Sequence, residues 1–491
     1  MENKTPSILT RRQFIRQAAC AALGTAAMTS AIRDLRFMNA AVAQSGVNDY
    51  KALVCIFLNG GNDSNNLIVP TIQSEYDNYA AIRTPVLAIP QGSLLGLSPL
   101  SSDGHDYGFH PCCPELQTLF NDPLERKLAV LFNTGTLVFP MTRSQYQSNS
   151  VKRPPQLFSH SDQQTQWQTS IPDQPALTGW GGRCADLLAA VQPGVPISLS
   201  VTLAGANTFE VGNIMSQYSV STSGAISLSG VSGNRLNALK GILGLGHTNN
   251  INMLGQAYAG VAEHSINTSQ LLNTAIAATV DPQGGSFWTT PFPTTIRPPT
   301  APATTFTSGL SSQMKMIARL IEAGNRAATN GGFGMKRQIF FCQVGGYDLH
   351  TNQTGASTIV GSHANLLSEL SQVMYPFQRA MEQLGLSNKV TSFTVSDFGR
   401  TFPCNGAGSD HGWGSHHLIM GGAVNGGRTY GKFPTLAING PDDTSTGRWI
   451  PTTACDQYFA TLAAWFGVDN NNLATVFPNL GRFSTPNLGF V

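Results

Sequence analysis

The sequence predicts an α/β fold, a three-layer α/β/α sandwich around a mostly parallel central sheet. Three observations predict it. Four short apolar runs, each closed by glycine, asparagine or aspartate, read as strands buried on both faces, as parallel strands are. Segments of helical periodicity fill the gaps between them. Acidic and imidazole side chains gather just after those runs, at the sheet edge where open α/β folds bind ligands.

Lys51 to Leu58 (KALVCIFL) is the first run and closes on Asn59-Gly60-Gly61-Asn62-Asp63. Leu128 to Phe132 (LAVLF) repeats the type before Asn133-Thr134-Gly135. Gln338 to Val344 (QIFFCQV) runs into Gly345-Gly346-Tyr347-Asp348, and Val390 to Val395 (VTSFTV) into Ser396-Asp397. Between them, Leu310, Met314, Ile317 and Ile321 share one helical face, as do Leu366, Leu370, Val373, Phe377, Met381 and Leu384. Pro376 should kink that second helix. Cys455 to Phe466 reads as a closing helix stopped at Gly467. Residues from about 203 to 309 are rich in Ser, Gly, Asn and Thr and read as a helical and loop insertion in a domain covering 44–491.

The amino terminus reads as an address. Thr10-Arg11-Arg12-Gln13-Phe14-Ile15-Arg16 precedes a modest apolar run from Ala18 to Met28, and Ala41-Val42-Ala43 offers small residues for cleavage. Paired arginines before such a run read as a twin-arginine signal over residues 1–43, with the twin-arginine export machinery as partner. Roughly 11 apolar residues are too few to cross a bilayer, which takes about 20, and no later stretch suffices. The expected location is the periplasm or the cell surface. Charged residues are only 11 % of the 491 and the net charge is +2, which gives no electrostatic case for nucleic acid or an anionic membrane. Eight cysteines include Cys20 in the signal, so the remaining count is odd. None has CxxC spacing, Cys55 and Cys342 read as buried small hydrophobes, and one or two disulfides stay open.

Chemistry concentrates in three blocks, GGYDLH, SDFGR and GSDHGWGSHH, and five of the ten histidines fall between His350 and His417. Residues two apart in an extended backbone project to one side, so Asp348 and His350 can reach one ion. The competing reading is a turn aspartate with a solvated histidine. Asp397 directly follows a strand and is either a ligand or a helix cap. Asp410 and His411 sit on a glycine-rich loop where successive side chains diverge. His417, before an apolar run, reads as packed. These are donors for a divalent metal: zinc, calcium or magnesium.

FLNGGNDSNNLIVP, GGYDLHTNQ, SDFGRT and GSDHGWGSHHLIMGG resemble the signature blocks of a bacterial family, domain-of-unknown-function family 1501, over about Lys51 to Val468. Its members commonly carry twin-arginine signals, and it is placed in the alkaline phosphatase and sulfatase superfamily. The resemblance implies an alkaline phosphatase-like fold with Asp63 as the acidic ligand after the first strand and Asn59 and Asn62 nearby. It implies Asp348 and His350 on one ion and Asp397 on the next strand, with Phe398 where the superfamily has a histidine. His411 would come from a later loop, with Asp410 compensating for the lost imidazole. Two such ions would hold the attacking and leaving oxygens of a phosphoryl or sulfuryl centre. The nucleophile it implies is Ser159, in Phe158-Ser159-His160, against a plain helix-capping role; Ser64 and Thr142 are lesser candidates. Arg400 would hold an anionic substrate by a bidentate contact.

The resulting expectation is an exported metal-dependent hydrolase of phosphate or sulfate esters, acting on a small-molecule or glycan ester. The alternative is a non-catalytic envelope or surface protein that keeps the fold and a structural ion, recognisable by a metal closed in by four or more protein ligands. A glycan-binding module using Trp167, Trp180 and Trp413 is a third reading, against a core role for those rings.

Overall fold

The computed structural model describes residues 47–491 apart from 125, 193, 227, 229, 250–252 and 280–291, so the signal over 1–43 lies outside the described residues. The main sheet has ten strands: β1 (Lys51–Leu58), β2 (Leu128–Gly135), β3 (Ser200–Thr202), β4 (Tyr218–Ser221), β5 (Gly224–Ala225), β6 (Arg337–Val344), β7 (Val390–Ser396), β8 (Ser415–Gly421), β9 (Thr429–Tyr430) and β10 (Thr453–Ala454). Their order is β9-β2-β8-β7-β1-β6-β3-β4-β5, with β10 also on β2. The four apolar runs are β1, β2, β6 and β7. β1 lies at the centre, parallel to β6 from Lys51↔Arg337 to Leu58↔Val344 and parallel to β7 from Ala52↔Val390 to Leu58↔Ser396. β8 runs antiparallel to both β7 and β2. Its amino end therefore meets the carboxyl ends of β1, β6 and β7.

The longer helices are α1 (Gln73–Leu87), α2 (Pro114–Asn121), α3 (His160–Thr169), α4 (Trp180–Leu188), α5 (Gly233–Asn249), α6 (Met253–Ala277), α7 (Gly309–Asn325), α8 (Ser362–Gln383) and α9 (Cys455–Phe466). Adjacent residues of β6 show that both faces are covered, because successive strand side chains point to opposite sides. Cys342 meets Met314 of α7, which packs with α8, and α8 with α2. Phe341 meets Phe209, which lies on Trp180 of α4, and Trp180 stacks on Phe459 of α9 at 4.5 Å. The architecture is therefore three layers with a mostly parallel mixed sheet between helices.

α7 buries Leu310, Met314, Ile317 and Ile321, and Ser308 caps it by accepting from the Ser311 amide at 2.9 Å. α8 buries Leu370, Val373, Phe377 and Met381, while Leu366 is half-buried. It passes through Pro376 as one helix. α9 ends where expected, on Gly467 at φ 117. The 203–309 segment holds α5 and α6, and it also adds β4 and β5 to the sheet edge. Those strands were hidden because they are only four and two residues long, too short for YSVS or GA to show a pattern.

The seven cysteines from Cys55 to Cys455 are free thiols, all buried except the half-buried Cys404. Trp167, Trp180 and Trp413 are each 1 % exposed, which removes them as a sugar platform. No helix among the described residues is long and apolar enough to cross a membrane.

Candidate metal centre

The carboxyl ends of β1, β6 and β7, the loop entering β8 and the start of α3 converge at one rim of the sheet. Glycine makes the approach possible. Gly60 has φ +116, and a Cβ there would lie 2.5 Å from the Asp348 amide nitrogen. Arg400 and His411 form an isolated antiparallel bridge that ties the β7 exit to the β8 entry. Four side chains meet at this rim: His160, Asp348, His350 and His411.

The ring nitrogens face one another. His160 Nε2 lies 3.1 Å from His411 Nε2 and 3.4 Å from Asp348 Oδ2. His411 Nε2 lies 3.2 Å from Asp348 Oδ1. Among the described residues, His160, Asp348 and His411 form a group whose donor atoms all lie within 4.8 Å of one another. His350 flanks this trio, with Nε2 2.9 Å from His411 Nε2 and 3.0 Å from Asp348 Oδ1. A tetrahedral zinc with Zn–N of about 2.0–2.1 Å places its ligand atoms about 3.3–3.4 Å apart. The observed edges lie at or slightly inside that value.

The far nitrogen of each ring is held from behind. His160 Nδ1 lies 2.6 Å from Asp397 Oδ2, His350 Nδ1 2.8 Å from Asp410 Oδ1, and His411 Nδ1 2.7 Å from the Phe158 carbonyl. A carbonyl or carboxylate only accepts, so each Nδ1 carries the proton and donates it. Each Nε2 of a neutral ring is then a bare lone pair. With all three rings neutral, these lone pairs and the carboxylate would converge at about 3 Å with no hydrogen between them, an arrangement that a cation relieves. Backing of Nδ1 by a carboxylate or carbonyl is also how metal-binding histidines are oriented.

Electrostatics grade outward. Asp397 is wholly buried and also accepts from the Gly60 amide at 3.1 Å and from Gln164 Nε2 at 2.9 Å. Its hydrogen bond raises the His160 pKa above the ordinary imidazole value. Burial lowers that of His411. Burial alone would raise the Asp348 carboxyl, but Arg400, donating to Oδ1 at 2.7 Å, outweighs it and holds Asp348 below the usual carboxylate range. The Asp348 side chain is 44 % exposed while that of Arg400 is fully buried, so the cluster opens to solvent past Asp348.

Of the expected site residues, Asp348, His350 and His411 come together, with Asp397 and Asp410 behind the rings and not at their front. Asp63 faces elsewhere: it is buried and pairs with Arg83 of α1, with Gln353 and Asn65 as further donors. Arg400 is spent internally, on Asp348, the Gly60 carbonyl and the Ser409 carbonyl. Ser159 is the N-cap residue of α3, and its hydroxyl donates to Asp162 at 2.6 Å. Ser64 is buried and accepts from the His416 amide at 2.9 Å. Thr142 caps the short helix Arg143–Ser148. His417 is buried against Trp167 and Tyr458. Sequence reasoning missed His160 and Gln164. The signal was present in the Phe158-Ser159-His160 block, where the hydroxyl drew attention from the neighbouring ring.

Residues 309–475 match the family described as "Protein of unknown function (DUF1501)", as the motif blocks implied. That span contains Asp348, His350, Asp397, Arg400, Asp410 and His411. No curated protein matches. Among solved structures, the chain is similar to a crystal structure of the PsFucS1 sulfatase from Pseudoalteromonas sp. The identity is 10 % and the TM-score 0.27, over 82 % of this chain and 69 % of that one. Likeness at that level says nothing about the reaction.

Proposed function

From the histidine cluster, part of which lies in the segment 309–475 that matches the DUF1501 model, we propose that this chain is a divalent-metal-dependent hydrolase of phosphate or sulfate esters. The observation that carries the proposal is the convergence of three Nε2 atoms, each on a ring backed at Nδ1, on Asp348. His160, His411 and Asp348 would hold the ion, with His350 at its flank. Imidazole donors suit zinc and its transition-metal neighbours better than calcium or magnesium, which prefer all-oxygen shells. When bound, such an ion supplies Lewis acidity toward an ester oxygen and lowers the pKa of water.

The chain's own groups do the rest. Asp397, Asp410 and the Phe158 carbonyl fix the tautomer and aim of each ring. Arg400 keeps Asp348 ionised and pointed inward. The Phe398 ring lies 4.8 Å from His160 and 4.6 Å from His411, centroid to centroid, and excludes water from that flank. With the Ser159 hydroxyl engaged by Asp162, water is the attacking group in this reading. Export by the twin-arginine route to the periplasm or cell surface belongs to the same proposal. The joint replacement Arg11→Lys and Arg12→Lys should leave the protein in the cytoplasmic fraction; normal export would remove that part.

The test is metal analysis of the purified chain with assays on aryl phosphates and sulfates. We expect close to one zinc per chain, and a loss of turnover on the order of 100-fold in Asp348→Ala and His411→Ala. Wild type no more active than these variants would end the hydrolase reading. One observation favours the non-catalytic alternative: His350 lies close enough to His411 and Asp348 to supply a fourth donor and close the ion in. Tight zinc with His350 among its ligands and no turnover would establish it.

A further inference from the structure

Arg400, the cation expected to grip an anionic substrate, has its guanidinium committed to Asp348 and two backbone carbonyls. A second arginine stands beside the cluster in a different condition. Arg448 donates through Nε to the His411 carbonyl at 2.8 Å. Its guanidinium carbon lies over the Phe158 ring, 4.1 Å from the centroid. Phe158 is the residue whose carbonyl accepts from His411 Nδ1 at 2.7 Å. The guanidinium is thus held at Nε and against a ring by the two residues that frame the His411 ligand. Among the described residues, no carboxylate lies within ion-pair distance of Arg448, and its terminal nitrogens have no hydrogen-bond acceptor.

We infer that Arg448 is the group that receives the anionic oxygens of the substrate, presenting both terminal N–H groups as a fixed fork. Three physical points support it. A guanidinium pinned by stacking and by Nε loses little further freedom when it binds, so more of each hydrogen bond reaches affinity. Two terminal nitrogens matched to two oxygens form the bidentate contact that selects phosphate, sulfate or carboxylate geometry. An unpaired cation next to a site built for a divalent ion raises the local positive potential, which only an anion relieves. The contrast with Arg400 is one of partners: a buried arginine paired with an aspartate positions a ligand, whereas a half-buried arginine without one is free to take substrate.

This inference rests on the ester-hydrolase reading for the identity of the anion, and its test separates the two. The zinc-loaded full chain is titrated calorimetrically with inorganic phosphate and, separately, with sulfate. The same is done for Arg448→Gln and Arg448→Lys, with zinc content measured in each. We expect full zinc in all three proteins and anion binding weakened about 10- to 100-fold in Arg448→Gln. Arg448→Lys should fall between, because it keeps the charge and loses the fork. Unchanged anion affinity in Arg448→Gln overturns the inference. So does absence of anion binding by wild type, or loss of zinc in Arg448→Gln, which would make Arg448 a mere support for His411. Anion binding that depends on Arg448 in a chain that hydrolyses no ester would leave this inference standing and remove the hydrolase reading.

Discussion

Asp397→Asn puts the proposed metal site to its hardest test, because it changes one atom behind the rings and none of the donor atoms that face one another. Asp397 is fully buried and accepts three hydrogen bonds: from the Gly60 amide at 3.1 Å, Gln164 Nε2 at 2.9 Å and His160 Nδ1 at 2.6 Å. An asparagine cannot accept all three. If its NH2 group takes the Oδ2 position, it faces the donors of Gln164 and His160. If it takes the Oδ1 position, it faces the Gly60 N–H. In the first orientation the His160 proton moves to Nε2, the atom that should bind the ion, and ligation is blocked until the tautomer reverts. Loss of such a backing carboxylate costs about 10- to 100-fold in metal affinity, or roughly 1.4–2.7 kcal/mol. The assay is a zinc competition titration against a chromophoric chelator, alongside the nitrogen-15 shifts of the His160 ring. A variant that binds zinc like wild type with His160 Nε2 still unprotonated would show that Asp397 does not set the tautomer.

Other consequences follow from neighbouring features. Gly60→Ala should cost about 1–3 kcal/mol in chemical denaturation and lower zinc affinity, since the new Cβ would drive into the Asp348 amide at a backbone angle of φ +116. Trp180→Ala should destabilise by about 3–5 kcal/mol, because the ring is 1 % exposed and stacked on Phe459; the denaturation midpoint reports it. Asp456 is buried with Oδ1 unpartnered, and burial pushes its pKa from 3.8 up to about 7. The folded state then holds this proton more tightly than the unfolded chain. The contribution is present below about pH 4 and is lost as pH rises toward 7, up to about 4 kcal/mol in all. Asp456→Asn should flatten stability across that window, as melting temperatures between pH 4 and 8 would reveal.

Much of the frame could be read without coordinates. A parallel strand buried on both faces must be apolar at nearly every position, so β1, β6 and β7 announced themselves, and their terminal glycines marked where the chain turns at the rim. Asp348, His350 and His411 were legible for the same reason: ligand chemistry sits at strand ends. His160 was not, because it opens a helix whose sequence shows no trace of the partner 237 residues away that orients it.

Read alone, the sequence marked the four long apolar strands, the edge of the sheet where acidic and imidazole side chains gather, and the donor types present there. Which donors face one another and which stand behind came only from the packed chain. The arbiter at His411 is the Phe158 carbonyl, a backbone atom common to every residue type. Packing likewise decided that Asp63 pairs with Arg83 and that Arg400 is spent on Asp348 while Arg448 keeps a free edge. A hydrogen bond or ion pair depends on distance and angle between groups, and the chain fixes those only after its layers have packed.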